Sequence, residues 1–244
     1  MPKLIKNIFS VNNSSNKTTR NPSSMNRCSI CSNDSFGAGP GGRMSFTGSP
    51  PRCEKCQSLE RHRIYRKIFQ QLATNNFKKL SLLQFSPDKT VDPSWFGSHE
   101  VSTYGGDNSL DLQKIDRESY QYDIVMCNHV LEHVQYDNSA LNELLRITKK
   151  EGFVFLTVPS PLHKAETNDW GYPKEEQHGH YRIYGKDFIE KLKQYLPHAW
   201  IMSTTEIDDA TQTDDIVFFL CHSKQGTIPI LDKFPEAIII QQGL

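Results

Sequence analysis

Two patterns of apolar residues run along this chain. From about residue 78, short apolar runs alternate with segments of helical period. KLSLLQF (79–85), HEVSTY (99–104), YDIVMCN (122–128), GFVFLTVP (152–159), AWIMSTTEI (199–207) and DIVFFLCH (215–222) each predict a strand. Between them, YDNSALNELLRITKK sets Leu141, Leu144, Leu145 and Ile147 on one helical stripe, with Gly152 as its stop. YGKDFIEKLKQYL predicts a second helix through Phe188, Ile189, Leu192 and Leu196. This alternation predicts an α/β domain over 78–224, a Rossmann-like, mainly parallel sheet with helices on both faces. Open sheets of that kind bind ligands outside the carboxyl ends of their strands.

The upstream pattern is different. QSLERHRIYRKIFQQLATNN brings Leu59, Ile64, Ile68 and Leu72 to near-helical spacing and predicts a linker helix, with Tyr65 and Phe69 beside the stripe. Its basic cluster of Arg61, His62, Arg63, Arg66 and Lys67 reads as a solvated face or as partners for nearby acids. Residues 1–25 are polar and aperiodic and predict a disordered tail. Residues 26–77 then form a small module with the linker helix, and 225–244 a C-terminal tail whose Ile238 to Ile240 suit a strand or a contact.

Charge and hydropathy narrow the partners. The 28 basic and 28 acidic residues balance to a net charge of +0, so no global field draws the chain to nucleic acid or to an anionic membrane. There is no 18-residue apolar run and no secretory leader pattern. A cytoplasmic setting is therefore expected. Residues 1–33 carry five Lys or Arg and no acid, a bias shared with transit peptides, but their Asn, Lys and Ser content fits a disordered tail better.

Cys28-x2-Cys31 and Cys53-x2-Cys56 are two knuckles separated by 21 residues. Each presents two thiolates from one tight turn, and two such turns close a tetrahedron around Zn²⁺. Two disulfides or an iron-sulfur cluster are the alternatives for four such sulfurs. A closed four-sulfur set has no open position, so the expected zinc is structural. Cys127 and Cys221 fall inside predicted strands and read as small buried hydrophobes.

One further spelling carries chemistry. His129, Glu132 and His133 give H-x-x-E-H, the inverted zinc-protease signature. That signature works on a helix, where residues i and i+4 share a face. Here it follows the strand-like YDIVMC directly, and Asp137 or Asn138 looks like the cap of the next helix. The motif thus sits at the carboxyl edge of a strand.

At that edge the chain resembles the class I S-adenosylmethionine-dependent methyltransferases. The likeness is to members whose fourth strand ends in a block matched here by Asp123, Ile124, Val125 and Cys127, then His129-Val130-Leu131-Glu132-His133-Val134. It continues through Ala140-Leu141, Glu143, Leu144-Leu145-Arg146 and Glu151-Gly152, and through His180-Tyr181-Arg182-Ile183-Tyr184-Gly185-Lys186-Asp187-Phe188. Upstream, Cys53-x2-Cys56-x-Ser58-Leu59-Glu60-Arg61-His62-Arg63 is similar to a lead found in some of these proteins, so the likeness spans about 28–224.

The resemblance implies a seven-stranded sheet with its last strand antiparallel, S-adenosylmethionine as cofactor and transfer of its methyl group. It places Phe85, Ser86, Pro87 and Asp88 in the cofactor loop after the first strand, Asp107 as a ribose hydroxyl acceptor, Asp111 and Leu112 against the adenine edge, and Asn128 and His129 at the methionine end. His180 is a candidate acid, base or acceptor contact; Glu132 and His133 join it as catalytic candidates or shape the floor of the site. Arg182 and Tyr184 bind an acceptor or pin their loop, Asp111 alternatively caps a turn, and Trp170 and Tyr172 suit an acceptor-side lid.

This sequence departs from the pattern in two places. LLQFSPDKTV has no glycine where the family turns closely around its cofactor, and Gly179 replaces the acid before His180. The expected activity is methyl transfer to a small-molecule or glycan-like acceptor. The alternatives are a non-catalytic zinc-containing scaffold on a degenerate methyltransferase fold, for which the missing glycine is the motive, and a zinc metallohydrolase.

Overall fold

The computed structural model describes residues 27–73, 77–159 and 161–243. The tail expected over 1–25 lies outside them. The chain divides into two compact units.

The first unit contains the described residues 27–71 together with 88–92 and 205–215. Strands β1 (Phe36–Gly37) and β2 (Arg52–Cys53) pair antiparallel across the two cysteine knuckles. Helix α1 (Glu60–Leu72) follows. Its buried stripe is Ile64, Tyr65, Ile68, Phe69 and Leu72, as the period predicts. The basic cluster is less solvated than a surface face. Arg63 is 1% exposed and forms a two-pronged pair with Asp208, Nε to Oδ1 at 2.8 Å and Nη2 to Oδ2 at 2.6 Å. Lys67 meets Glu206 at 2.9 Å, and the Tyr65 hydroxyl donates to Asp215 at 2.7 Å. The acids that answer α1 thus come from 206–215, far along the chain, which is why a contiguous reading of the module missed them.

The second unit is built on a seven-stranded sheet. Its strands are β3 (Ser81–Phe85), β4 (Ser98–Ser102), β5 (Tyr122–Asn128), β6 (Thr148–Thr157), β9 (Trp200–Ile207), β10 (Asp214–Cys221) and β11 (Ile238–Gln241), in the order β11-β9-β10-β6-β5-β3-β4. β4, β3, β5 and β6 run parallel, whereas β10 lies antiparallel on β6 and β11 antiparallel on β9. The seventh strand is supplied by the segment expected as a tail, through Ile238 to Gln241. β5 and β10 are buried nearly end to end, so they read as continuous apolar runs rather than alternating ones. Cys127 and Cys221 are fully buried within them, and burial pushes both thiols up.

Helix α2 (Asp137–Ile147) packs on β5 and β6 through Ala140, Leu141, Leu144 and Ile147. It stops earlier than Gly152. The Thr148 hydroxyl donates to the Leu144 carbonyl at 2.8 Å, and Thr148 itself is already extended. Gly152 instead ends a register shift opposite β5, where a Cβ would strike the Asp123 carbonyl. Helix α3 (Phe188–Tyr195) buries Phe188, Ile189 and Leu192, and α4 (Lys224–Leu231) lies on β6. A separate hairpin, β7 (Asn168–Lys174) with β8 (His180–Ile183), precedes α3. Among the described residues no helix is long and apolar enough to cross a membrane.

Candidate active site

The parallel register brings three strand ends to one rim. Phe85 is opposite both Ser102 and Cys127, and Asn128 is opposite Thr157. Immediately past the rim, Ser86 and His129 both turn with left-handed backbone, at φ 66 and φ 52. Each turn is fixed by its own N–H: Ser86 donates to the Ser102 carbonyl at 2.9 Å, and His129 to the Thr157 carbonyl at 3.1 Å. Non-glycine residues in this region cost about 1–3 kcal/mol each and collect at functional sites. The turn that lacks glycine nevertheless takes the conformation that glycine favours.

These turns border a cavity of about 570 Å³. Phe85, Ser86, Asp111, Leu112, His129 and His133 line it, together with Ser102, Thr103 and Tyr104 from the end of β4. Pro87, Asp88, Asp107 and Asn128 are not in its wall. Asp88 accepts the Thr90 N–H at 2.7 Å, and Asn128 accepts the Thr157 hydroxyl at 3.2 Å, so both act on local backbone and strand order. Asp107 is exposed in the loop after β4. Asp111 is the single carboxylate in the wall among the described residues. It also caps a turn, with its Oδ1 accepting Gln113 N–H at 2.9 Å. The 103–112 loop is tied to the rim by Leu110 N–H on the Ser102 hydroxyl at 3.1 Å.

The far wall comes from the turn 131–135 and the β7–β8 hairpin, through His133, Val134, Gln135, Pro173, Gly179 and Tyr181. Arg182 pins these two pieces together. Its Nη1 donates to the Val134 carbonyl at 2.6 Å, Nη2 to the Gln135 carbonyl at 2.7 Å and Nε to Asp169 at 2.8 Å. This guanidinium, 3% exposed, is spent on the wall and does not reach an acceptor. Tyr184 is 0% exposed, donates to Asp137 at 3.1 Å and packs on Phe188, so it too is structural. Trp170 and Tyr172 sit on β7 but outside the cavity wall, where Lys174 covers the Trp170 ring at 4.8 Å. Side chains alternate along a strand, so Pro173 faces the cavity while Tyr172 is turned away. Besides Phe85, the cavity wall carries the rings of Tyr104 and Tyr181, which a sequence pattern could not single out from other loop tyrosines.

Glu132, His133 and His180 converge beside this wall, with their ligand atoms all within 4.8 Å of one another. Glu132 is buried, and the rings of His133 and His180 meet edge to face at 4.5 Å. Burial, with His133 and His178 nearby, pulls His180 down to about 4, and burial also lowers His133. Both imidazoles are neutral at pH 7. His129 does not join a zincin-type pair: it closes β5 in the left-handed region, and only Leu131–His133 form a helical turn.

In the first unit the four cysteine sulfurs also lie within 4.8 Å of one another, with Cys28 to Cys56 at 3.6 Å and Cys31 to Cys53 at 3.5 Å. All six cysteines are free thiols, so the disulfide alternative is not formed. Zn–S bonds of about 2.3 Å in a tetrahedron separate the sulfurs by roughly 3.8 Å, so the set fits that ion. The knuckles are built alike: the Cys28 carbonyl takes Ser32 N–H at 2.8 Å and the Cys53 carbonyl takes Gln57 N–H at 2.9 Å. Ser32 and Gln57 both have positive φ, at 60 and 61. Ser58, fully buried, touches Cys56 at 3.1 Å and Cys28 at 3.4 Å and offers its carbonyl to Arg63 at 3.0 Å. That explains the Cys-x-Ser-Leu-Glu-Arg-His-Arg run physically, since Arg43 also pairs with Glu60 at 2.7 Å and His62 Nδ1 accepts Leu59 N–H at 3.1 Å.

A family model described as "Methyltransferase domain" matches residues 58–194. No curated protein matches. Among solved structures, the 1,6-didemethyltoxoflavin-N1-methyltransferase of Burkholderia thailandensis is 12% identical, with 64% of this chain and 76% of that chain covered and a TM-score of 0.46. An S-adenosylmethionine-dependent methyltransferase of Aquifex aeolicus is likewise 12% identical, with 64% and 88% covered and a TM-score of 0.40. The family match takes in more than half of the 244 residues, from the end of the cysteine module through the rim and the far wall. The chain belongs to the class I S-adenosylmethionine-dependent methyltransferase family.

Proposed function

We propose that this chain methylates a small-molecule or glycan-like acceptor in the cavity beyond β3, β4 and β5, while Cys28, Cys31, Cys53 and Cys56 hold a structural Zn²⁺. The observation that carries the reading is the rim, where Ser86 and His129 turn left-handed onto a cavity of about 570 Å³. That size is typical of small-molecule sites. When bound, S-adenosylmethionine supplies an electrophilic methyl group on its sulfonium. The Phe85–Ser86 turn offers close backbone approach, Asp111 and Leu112 face the adenosine portion, and His129 and Val130 face the methionine end. His133, Val134, Gln135 and Tyr181 form the acceptor side. An in-line transfer needs alignment and exclusion of water above all, which the pinned hairpin wall favours. The balanced charge supports a small acceptor over nucleic acid. The conformation of Ser86 weighs against the scaffold reading, because the missing glycine was its motive.

Calorimetric titration with S-adenosylhomocysteine tests this. One molecule bound per chain is expected, and no binding at millimolar ligand would overturn it. Asp111→Asn removes the one carboxylate of the wall among the described residues and is expected to weaken that binding about tenfold, a loss of roughly 1.4 kcal/mol, near that of a hydrogen bond to a charged group.

A further inference from the structure

The cluster beside the acceptor wall has a use beyond shaping the floor. Glu132 and His133 come from the turn after β5, and His180 from the first position of β8, yet their ligand atoms gather within 4.8 Å. Two imidazoles and one carboxylate are a recognised three-ligand set for first-row divalent metals, and such sets leave positions open for an exogenous ligand. A shared ion with bonds of about 2.0–2.2 Å spans donors up to roughly 4.4 Å apart, so small side-chain rotations complete the set.

One detail of His180 fits a ligand role. His180 Nδ1 is buried and has no hydrogen-bond partner among the described residues, and an unsatisfied buried ring nitrogen is costly unless something else occupies it. Glu132 is 1% exposed. It lies 3.7 Å from His129 Nδ1 on one side, and a cation amid Glu132, His133 and His180 would add to the compensation of its burial. His133 also lines the cavity, so the open positions of such an ion face the acceptor side.

We propose that Glu132, His133 and His180 form a site for a first-row divalent cation that binds an acceptor carrying two neighbouring oxygen donors. This inference rests on the methyl-transfer reading for its acceptor, though not for the metal. A cation there lowers the pKa of an acceptor hydroxyl. The hydroxyl proton leaves to solvent, the oxygen lone pair forms the new O–CH3 bond, and the CH3–S bond breaks with its electrons passing to sulfur. This metal is separate from the four-cysteine site, whose closed sulfur set leaves no open position.

Mn²⁺ separates the two sites, because it favours nitrogen and oxygen donors over thiolates. Zinc-replete full-length protein is titrated with Mn²⁺ and free Mn²⁺ is read by electron paramagnetic resonance. We expect one Mn²⁺ per chain, with affinity reduced about tenfold or more in His180→Ala and in the near-isosteric Glu132→Gln. No binding by the wild-type protein at millimolar Mn²⁺ overturns the site, as does binding that neither substitution changes. Catechol, a small molecule with two adjacent hydroxyls, is expected to alter the bound-Mn²⁺ spectrum; an unaltered spectrum overturns the acceptor assignment. S-adenosylhomocysteine titrated into the same samples keeps the readings apart, because loss of cofactor binding with Mn²⁺ retained would sink the methyl-transfer reading alone.

Discussion

Ser86 carries more than its small side chain suggests. A serine at φ 66 holds a turn that the family builds with glycine, so the position is short of steric tolerance. Ser86→Val adds a β-branched side chain to a left-handed residue and is expected to cost about 1 kcal/mol or more. Denaturant titration would read that cost, and weaker S-adenosylhomocysteine binding should accompany it. The missing glycine in LLQFSPDKTV was visible in the sequence; the serine that adopts its conformation was not, because φ is set by the strand register around it. His62 makes a comparable point about protonation. Its Nδ1 accepts the Leu59 N–H at the start of α1, as the third helical residue of a capping box does. Burial, with Arg61 and Arg63 nearby, depresses it from 6.5 to about 4 against the opposing pull of Asp88 and Glu60. A depressed histidine contributes stability that is present above pH 6.5 and is lost as pH falls towards 4. Thermal midpoints measured across that window should fall less steeply for His62→Gln, which can cap without titrating.

Among the elements, the β7–β8 hairpin depends most on one contact. Arg182 joins it to the turn after β5 through two backbone carbonyls, whereas its partner Asp169 is largely solvated. Arg182→Ala strands those carbonyls and is expected to cost about 2–3 kcal/mol. Asp169→Asn, which leaves both carbonyl contacts of the guanidinium in place and changes a solvated carboxylate, should cost less, about 1 kcal/mol. Chemical denaturation separates the two, and protease cleavage within 168–183 should increase only in the first. The strands themselves were legible, since apolar runs such as Tyr122–Asn128 and Asp214–Cys221 need no partner to be recognised. The hairpin was not. NDWGYPK has no alternating pattern and contains glycine and proline, so nothing local marks it as a strand, and its pairing depends on Arg182 of the partner strand, thirteen residues beyond Asp169. The helix stop was likewise misplaced, because Gly152 looks like a terminator while Thr148 does the capping.

For the whole molecule, the zinc proposed at the four cysteines is expected to decide whether the first unit forms. Cys28→Ser with Cys53→Ser is expected to remove one zinc per chain by elemental analysis and to abolish a metal-dependent transition in calorimetry. If zinc content stayed unchanged in that variant, the four-sulfur assignment would be wrong. The knuckle spacing made the gathering of the four sulfurs readable in advance, because ligand spacing is encoded in short intervals. The acids that complete the same unit were not readable, since Asp208 and Asp215 carry no mark in their own neighbourhood of what they answer. That separation has a consequence for how the chain is made. Asp208 follows Arg63 by 145 positions, which at a synthesis rate of about 5–20 residues per second is a delay of roughly 7–29 s. During that interval the nascent cysteine module has its metal ligands but lacks the counter-charge for its buried arginine. With zinc at the cysteines as proposed, metal capture is expected to precede completion of the fold, and the arginine gains its carboxylate partner only later.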